Sequence, residues 1–162
     1  MLTFEELYVA YSPEIYRFAT WLSGNAHDAE DITAETFTRA WIHFATIRTE
    51  TLKAYLFTIA RNIYLESLRK HHQHDELRDA HPDSHPTLEK ALETQTELDQ
   101  VSAALRTLAE IDRSAFLMRV QYDLAYAEIA RVLQLSESAA KVKVHRVRKM
   151  LFAMQSKRSQ NE

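Results

Sequence analysis

Between Lys141 and Arg158 the chain carries seven Lys or Arg (Lys141, Lys143, Arg146, Arg148, Lys149, Lys157 and Arg158) and no Asp or Glu. Ala140, Val144, Val147 and Leu151 follow one another at spacings of four, three and four, which is the period of a helix with one buried stripe. Burying that stripe turns Lys141, Val142, His145, Arg146, Arg148 and Lys149 outward. Such a face has the chemistry to neutralise phosphates and to reach base edges in a DNA major groove. Ser138 and Lys143 complete the candidate set. Lys141, His145 and Arg146 are assigned to base edges, and Lys143, Arg148 and Lys149 mainly to phosphates. A cationic helix face is more often plain solvated surface. Here a second amphipathic segment, Tyr126 to Leu133 with Ile129, Ala130 and Leu133 inward, precedes it at helix-turn-helix spacing, and Ser136 stands ready to cap the second helix.

A second basic patch lies upstream. Residues 48 to 70 hold Arg48, Lys53, Arg61, Arg69 and Lys70 against two acids, Glu50 and Glu66. On a helix from Leu52 to Lys70, with Leu52, Leu56, Ile59, Ile63 and Leu68 along one side, Tyr55, Asn62 and Tyr64 lie off the apolar stripe. Cations, an amide and aromatic rings together suit an unpaired nucleic-acid strand: rings stack on bases, the amide reads a pairing edge, and the cations take phosphates. A packing role for Tyr55 and a helix–helix hydrogen bond for Asn62 stand beside that reading. A third group, Asp28, Asp31 and Glu35, makes a negative stripe on a helix from Ala26 to about Thr46. On spacing alone this is solvated surface favoured by the helix dipole.

The remaining chemistry is sparse. With no Cys there is neither a disulfide nor a thiolate metal site, which fits a reducing compartment. His71, His72, His74, His81 and His85 cluster beside Pro82 and Pro86, but no ligand spacing fixes them as a metal site. No glycine-rich phosphate loop and no nucleophile with a placed base is present. The sequence therefore points away from an enzyme and requires no cofactor or metal.

One Gly and three Pro in 162 residues argue for long helices, so the fold class expected is all-α. Thr3 and Glu6 form a possible capping box, and Ser12-Pro13 reads as a second helix start. Gly24 ends that helix and Asn25 caps the next, whose apolar set is Ala29, Ile32, Phe37, Ala40, Trp41 and Phe44. Residues 71 to 87 have linker composition. Periodicity resumes from Leu88 to Leu108 through Leu92, Val101, Leu105 and Leu108, and Asp112 is placed to cap a helix holding Phe116, Leu117 and Val120. The net charge of −3 is unevenly spread, with the two basic patches set in acidic surroundings. No leader and no bilayer-length apolar run is evident, so a soluble cytoplasmic protein without membrane insertion is expected.

Taken together, these motifs carry a resemblance. Tyr126-Ala-Glu-Ile-Ala130, Leu135-Ser136 and Lys141-Val-Lys-Val-His-Arg-Val-Arg148 resemble region 4 of the extracytoplasmic-function (ECF) sigma factors, small bacterial transcription initiation factors. His27-Asp-Ala-Glu-Asp-Ile32, Ala34-Glu-Thr-Phe37, Ala40-Trp41 and Tyr55-Leu-Phe-Thr-Ile-Ala-Arg-Asn62 are similar to region 2 of the same family, in the family's order. This chain departs from the pattern at Gln134 and Asp123, where Gly is usual, at Ala125 in place of Ser, at Ser138-Ala139-Ala140 in place of Gly-Thr-Val, and at Tyr55 in place of Trp.

The resemblance implies two small helical domains, 1–72 and 95–158, joined by a flexible linker over 73–94 that runs near the polymerase active site. It implies core RNA polymerase as a partner, through the β′ clamp helices and the β flap, with Asp28, Asp31, Glu35 and Phe37 docking on the clamp. Promoter DNA is implied as the second partner: the −35 duplex on Ser138 and the 141–149 face, and the melted −10 strand on Arg48, Lys53, Tyr55, Arg61, Asn62 and Arg69. An anti-sigma factor is the third. Two rival readings are a helix-turn-helix regulator acting without polymerase and an all-α protein-interaction module.

Overall fold

The computed structural model describes residues 2–76 and 97–160, and every regular element in them is helical. The chain divides into two compact units, Met1–His81 and Pro82–Glu162. Much of the 73–94 segment, with Leu92, His81, His85, Pro82 and Pro86, lies outside the described residues.

In the first unit, α1 spans Phe4–Ser23, α2 Ala26–Ile42 and α3 Leu52–Glu76. The Thr3–Glu6 box is made in both directions: the Glu6 N–H donates to Thr3 Oγ1 (3.1 Å) and the Thr3 N–H to Glu6 Oε2 (2.8 Å). Each bond satisfies a donor that the first turn leaves free. Gly24 closes α1 at φ 78°, a left-handed conformation that glycine adopts without a Cβ clash. Asn25 then caps α2, accepting from the Asp28 N–H at 2.7 Å.

Ser12-Pro13 does not start a new helix; Pro13 sits inside a continuous α1. Proline removes the bond to the carbonyl four residues back, here that of Val9. Val9 and Pro13 are both exposed, which puts the interruption on the solvent side of α1, and the helix carries on.

The core of this unit is Leu7, Ile15, Phe18, Ala19 and Leu22 of α1, Ala29, Ile32, Phe37 and Ala40 of α2, and Leu52, Leu56, Phe57 and Ala60 of α3. Phe18 and Phe57 meet at 4.9 Å between ring centroids. Burying one such ring is worth roughly 1.5–3 kcal/mol. Two buried hydroxyls, Thr33 and Thr36, each donate to the carbonyl four residues back at 2.7 Å, so they burden the core with no unmet donor.

Trp41 and Phe44 leave the expected stripe. Helix α2 stops at Ile42 and Phe44–Thr46 forms a 3₁₀ turn. Trp41 is 62% exposed, leaning edge-on against Phe4 at 4.8 Å, while Phe44 meets Phe4 at 5.8 Å. Arg39 ties α2 to α3, bonding Glu35 at 3.0 Å and Glu66 at 3.3 Å. The Glu35 bond, opposed by slight burial and helped by Glu66, raises the Arg39 pKa above its ordinary value.

In the second unit, α4 spans Glu97–Arg106, α5 Glu110–Val120, α6 Tyr126–Leu133 and α7 Glu137–Gln160. Ala104, Leu105, Phe116, Leu117, Met118, Ile129, Val132, Leu133, Ala140, Val144 and Val147 are buried. Helix α5 starts one residue after Ala109, not at Asp112. The Asp112 N–H already bonds the Ala109 carbonyl at 3.1 Å, so its backbone is helical and its carboxylate is released for another use.

Asp123 (φ 56°) and Gln134 (φ 57°) hold left-handed backbone without being glycine, a conformation that costs an L-residue roughly 1–2 kcal/mol. Gln134 ends α6, and a Leu135 N–H to Ala130 carbonyl bond of 2.9 Å closes the turn, the wide bond of a helix stop that glycine usually supplies.

Candidate nucleic-acid interface

Helix α6, the turn at Gln134 and helix α7 form the helix-turn-helix. Ser136 Oγ accepts from the Ala139 N–H at 3.1 Å, fixing the start of α7 where the sequence placed it. From there Ala140, Val144 and Val147 go inward, while Ser138, Lys141, Val142, His145, Arg146, Arg148 and Lys149 are exposed. The 141–149 members of that face, joined by Tyr126 of α6, line an open cleft of about 520 Å³. It is cationic along its length and has an apolar point at Val142, 47% exposed, suited to a thymine methyl.

Lys143 does not belong to this face. It is half-buried, and its Nζ bonds Asp112 Oδ1 at 3.0 Å, which joins α7 to α5. That bond uses one of the ammonium's three donors and offsets its charge, which ties Lys143 to the α5–α7 packing. Lys143 lies at the edge of the buried stripe, one residue before Val144, where it can reach α5.

In the first unit, the loop between α2 and α3 folds over the start of α3. His43, Thr46, Ile47, Arg48, Thr51 and Tyr55 line a cleft of about 400 Å³. The structure thus brings Arg48 and Tyr55 together and adds His43, Thr46, Ile47 and Thr51, which reasoning from charge and aromatic content passed over. A short loop rich in hydroxyl and imidazole groups was the signal available. Asn62 is exposed but outside this cleft, seven residues beyond Tyr55, which is about 10 Å along a helix. Arg69 is exposed and Arg61 half-buried. Lys53 is half-buried and paired with Glu14 at 3.4 Å, so its charge is already offset.

The acidic stripe is exposed at Asp28, Asp31 and Glu35. Asp28 Oδ2 accepts from Asn25 Nδ2 at 2.6 Å and Asp31 lies 3.5 Å from His27. Phe37 is not an exposed edge: it is 4% exposed and covered by Tyr8 at 5.0 Å. The exposed apolar residue on the stripe is Ile42, 69% exposed and seven residues after Glu35, two turns along the same face. It was missed because it falls at the helix end, past the acidic run.

Among the described residues no group of three or more His, Asp or Glu is arranged to hold a metal ion, and no helix is long and apolar enough to cross a membrane.

Comparison with known proteins adds to this geometry. The family model for sigma-70 region 2 matches residues 7–74 and that for sigma-70 region 4 matches residues 98–151. The chain is 29% identical over 157 residues to the ECF RNA polymerase sigma factor SigM of Bacillus subtilis, covering 94% of this chain and 95% of that one. It is 32% identical over 150 residues to the ECF RNA polymerase sigma factor EcfG of Rhodopseudomonas palustris, covering 90% and 81%. Among solved structures, the sigma factor RpoE of Bartonella quintana, crystallised with the anti-sigma factor NepR, matches with a TM-score of 0.78 at 24% identity over 94% of this chain and 96% of that one. At that identity the likeness is one of fold.

Proposed function

This chain belongs to the ECF RNA polymerase sigma factors, and on that premise we propose how its two units divide the work of promoter-specific initiation. Residues 95–158 read the −35 element as duplex, with α7 in the major groove. Residues 1–72 bind core RNA polymerase through the α2 stripe and hold the opened −10 strand, and 73–94 link the two. The protein works in the cytoplasm and is not itself an enzyme. An anti-sigma factor that covers its charged faces is the regulatory partner, as the Bartonella relative has one.

The observation that carries this reading is the open cationic face of α7, set on the second helix of a helix-turn-helix with no acid between Lys141 and Arg158. For duplex contact the working set is Ser138, Lys141, Val142, His145, Arg146, Arg148 and Lys149. For the single strand, the cleft at Arg48 and Tyr55 is the better candidate: an aromatic residue, a cation and two threonines line a space that can take one unstacked base. Arg61, Asn62 and Arg69 then continue the track along α3. For docking, Asp28, Asp31 and Glu35 provide charge and Ile42 replaces Phe37 as the apolar contact.

The test is reconstitution with core RNA polymerase. The holoenzyme should initiate from a defined set of duplex promoters with a −35 and a −10 preference. A protein that bound a symmetric operator tightly without polymerase, and failed to co-purify with it, would be a conventional regulator instead.

A further inference from the structure

Tyr126 opens α6 beside the α7 face. The guanidinium carbon of Arg119 lies 4.3 Å from its ring centroid, and Lys141 Nζ lies 5.7 Å from the same centroid. Arg119 is itself fixed, its Nη1 donating to the Leu124 carbonyl at 3.2 Å across the α5–α6 connection. Lys141 has a second neighbour, Glu137 Oε1 at 3.8 Å, in a pair whose side chains are both more than half exposed.

Left to itself, an exposed lysine sweeps a wide volume on a flexible four-carbon stem, and docking it on one base edge costs rotamer entropy. An aromatic face attracts an ammonium through its quadrupole without occupying its hydrogen-bond donors. A carboxylate instead offsets the ammonium's charge, and it repels the DNA that the lysine is to meet. Tyr126 is therefore a hold compatible with base contact, and Glu137 is one that must be released.

Resting on the reading of α7 as the duplex-reading helix, we propose that Tyr126, anchored by Arg119, is the positioning residue that aims Lys141 at its base edge, with Glu137 as a tether given up on binding. Tyr126 thereby contributes to promoter specificity through Lys141.

The test uses the holoenzyme with core RNA polymerase and the duplex that the wild-type holoenzyme selects from a randomised −35 library, in competition against its single-base variants. Lys141→Ala should flatten the preference at one base position. Tyr126→Leu should flatten the same position roughly two- to fivefold and add nothing further in the Lys141→Ala background, while Tyr126→Phe keeps wild-type discrimination. Glu137→Gln should tighten binding to all duplexes. Wild-type discrimination by Tyr126→Leu, or an equal loss at every position, would overturn the proposal. In case Tyr126→Leu fails to fold, the free wild-type protein supplies an independent reading by NMR. The ε-methylene protons of Lys141 should be shifted upfield by the ring relative to those of Lys149, and equal shifts would overturn the positioning role. A wild-type holoenzyme that selected no −35 duplex would remove the reading of α7 itself, an outcome distinct from one in which selection stands and Tyr126 is silent.

Discussion

The α7 face and the α2–α3 cleft each present cations and a tyrosine, yet they hold them in different ways. On α7 every cation of the face comes from one helix within nine residues, and the tyrosine lies on the neighbouring helix with cations near its ring. In the cleft, the tyrosine is on α3, the arginine is on a loop, and threonine and histidine make up most of the rest. Nearby Lys53 is paired to Glu14. A rigid stripe of charge suits a regular polyanion such as duplex DNA, whereas a small polar pocket with one ring and one cation suits a single unstacked base.

The largest effect is expected on recruitment by polymerase, on which initiation through either face depends. Charge reversal at Asp31 and Glu35 should reduce core binding by an order of magnitude or more while duplex binding by α7 is retained. Core pull-down at wild-type level would move the docking surface off α2. Ile42→Glu should act in the same direction, whereas Phe37→Glu should unfold the first unit, because its ring is buried; circular dichroism separates the two.

A smaller effect sharpens the α7 side. Arg146→Ala should lose about 1–3 kcal/mol on the preferred duplex and relax one base position, while Lys149→Ala weakens all sequences alike and lowers the salt slope by about 1. Binding measured across salt on matched and mismatched duplexes distinguishes them, and equal losses on every sequence for both variants would erase the division between base and phosphate contacts. Lys143→Ala should leave DNA affinity nearly unchanged once stability is matched, because its ammonium is engaged by Asp112.

The smallest effect concerns the frame. Asp123→Gly and Gln134→Gly each relieve a left-handed backbone, offset in part by the entropy glycine adds to the unfolded chain, and should stabilise the second unit by about 0.5–1 kcal/mol. Denaturant melts of the single variants check this; destabilisation by both would mean that the native side chains make compensating contacts.

The same contrast explains what could be read from the sequence. The α7 face was legible because a buried stripe at helical period dictates what lies opposite, and Ser136 marked the start. Lys143 escaped because charge alone does not disclose a partner 31 residues away in Asp112. In the first unit the caps at Thr3, Gly24 and Asn25 were local chemistry and therefore visible. Pro13 was misleading because the cost of a proline depends on whether the freed carbonyl meets water. Trp41 and Phe37 exchanged roles because both are aromatic and near the edge of the stripe; the position of α1, with Phe4 and Tyr8, decides which is covered. The cleft at Arg48 and Tyr55 depends on how a loop folds back on α3, which periodicity does not encode.

The central claim is that α7 reads duplex while the Arg48–Tyr55 cleft holds an opened strand. The most direct measurement is initiation by reconstituted holoenzyme carrying Tyr55→Ala or Arg146→Ala on two templates, one fully duplex and one already unpaired across the −10 element. Melting costs a few kcal/mol that binding must supply, and stacking on the tyrosine would contribute about 1–3 kcal/mol of it. Pre-melting should therefore restore much of the Tyr55→Ala defect and leave its base preference altered, while the Arg146→Ala defect persists unchanged. Equal rescue of both variants, or rescue of Arg146→Ala alone, would contradict the division of labour.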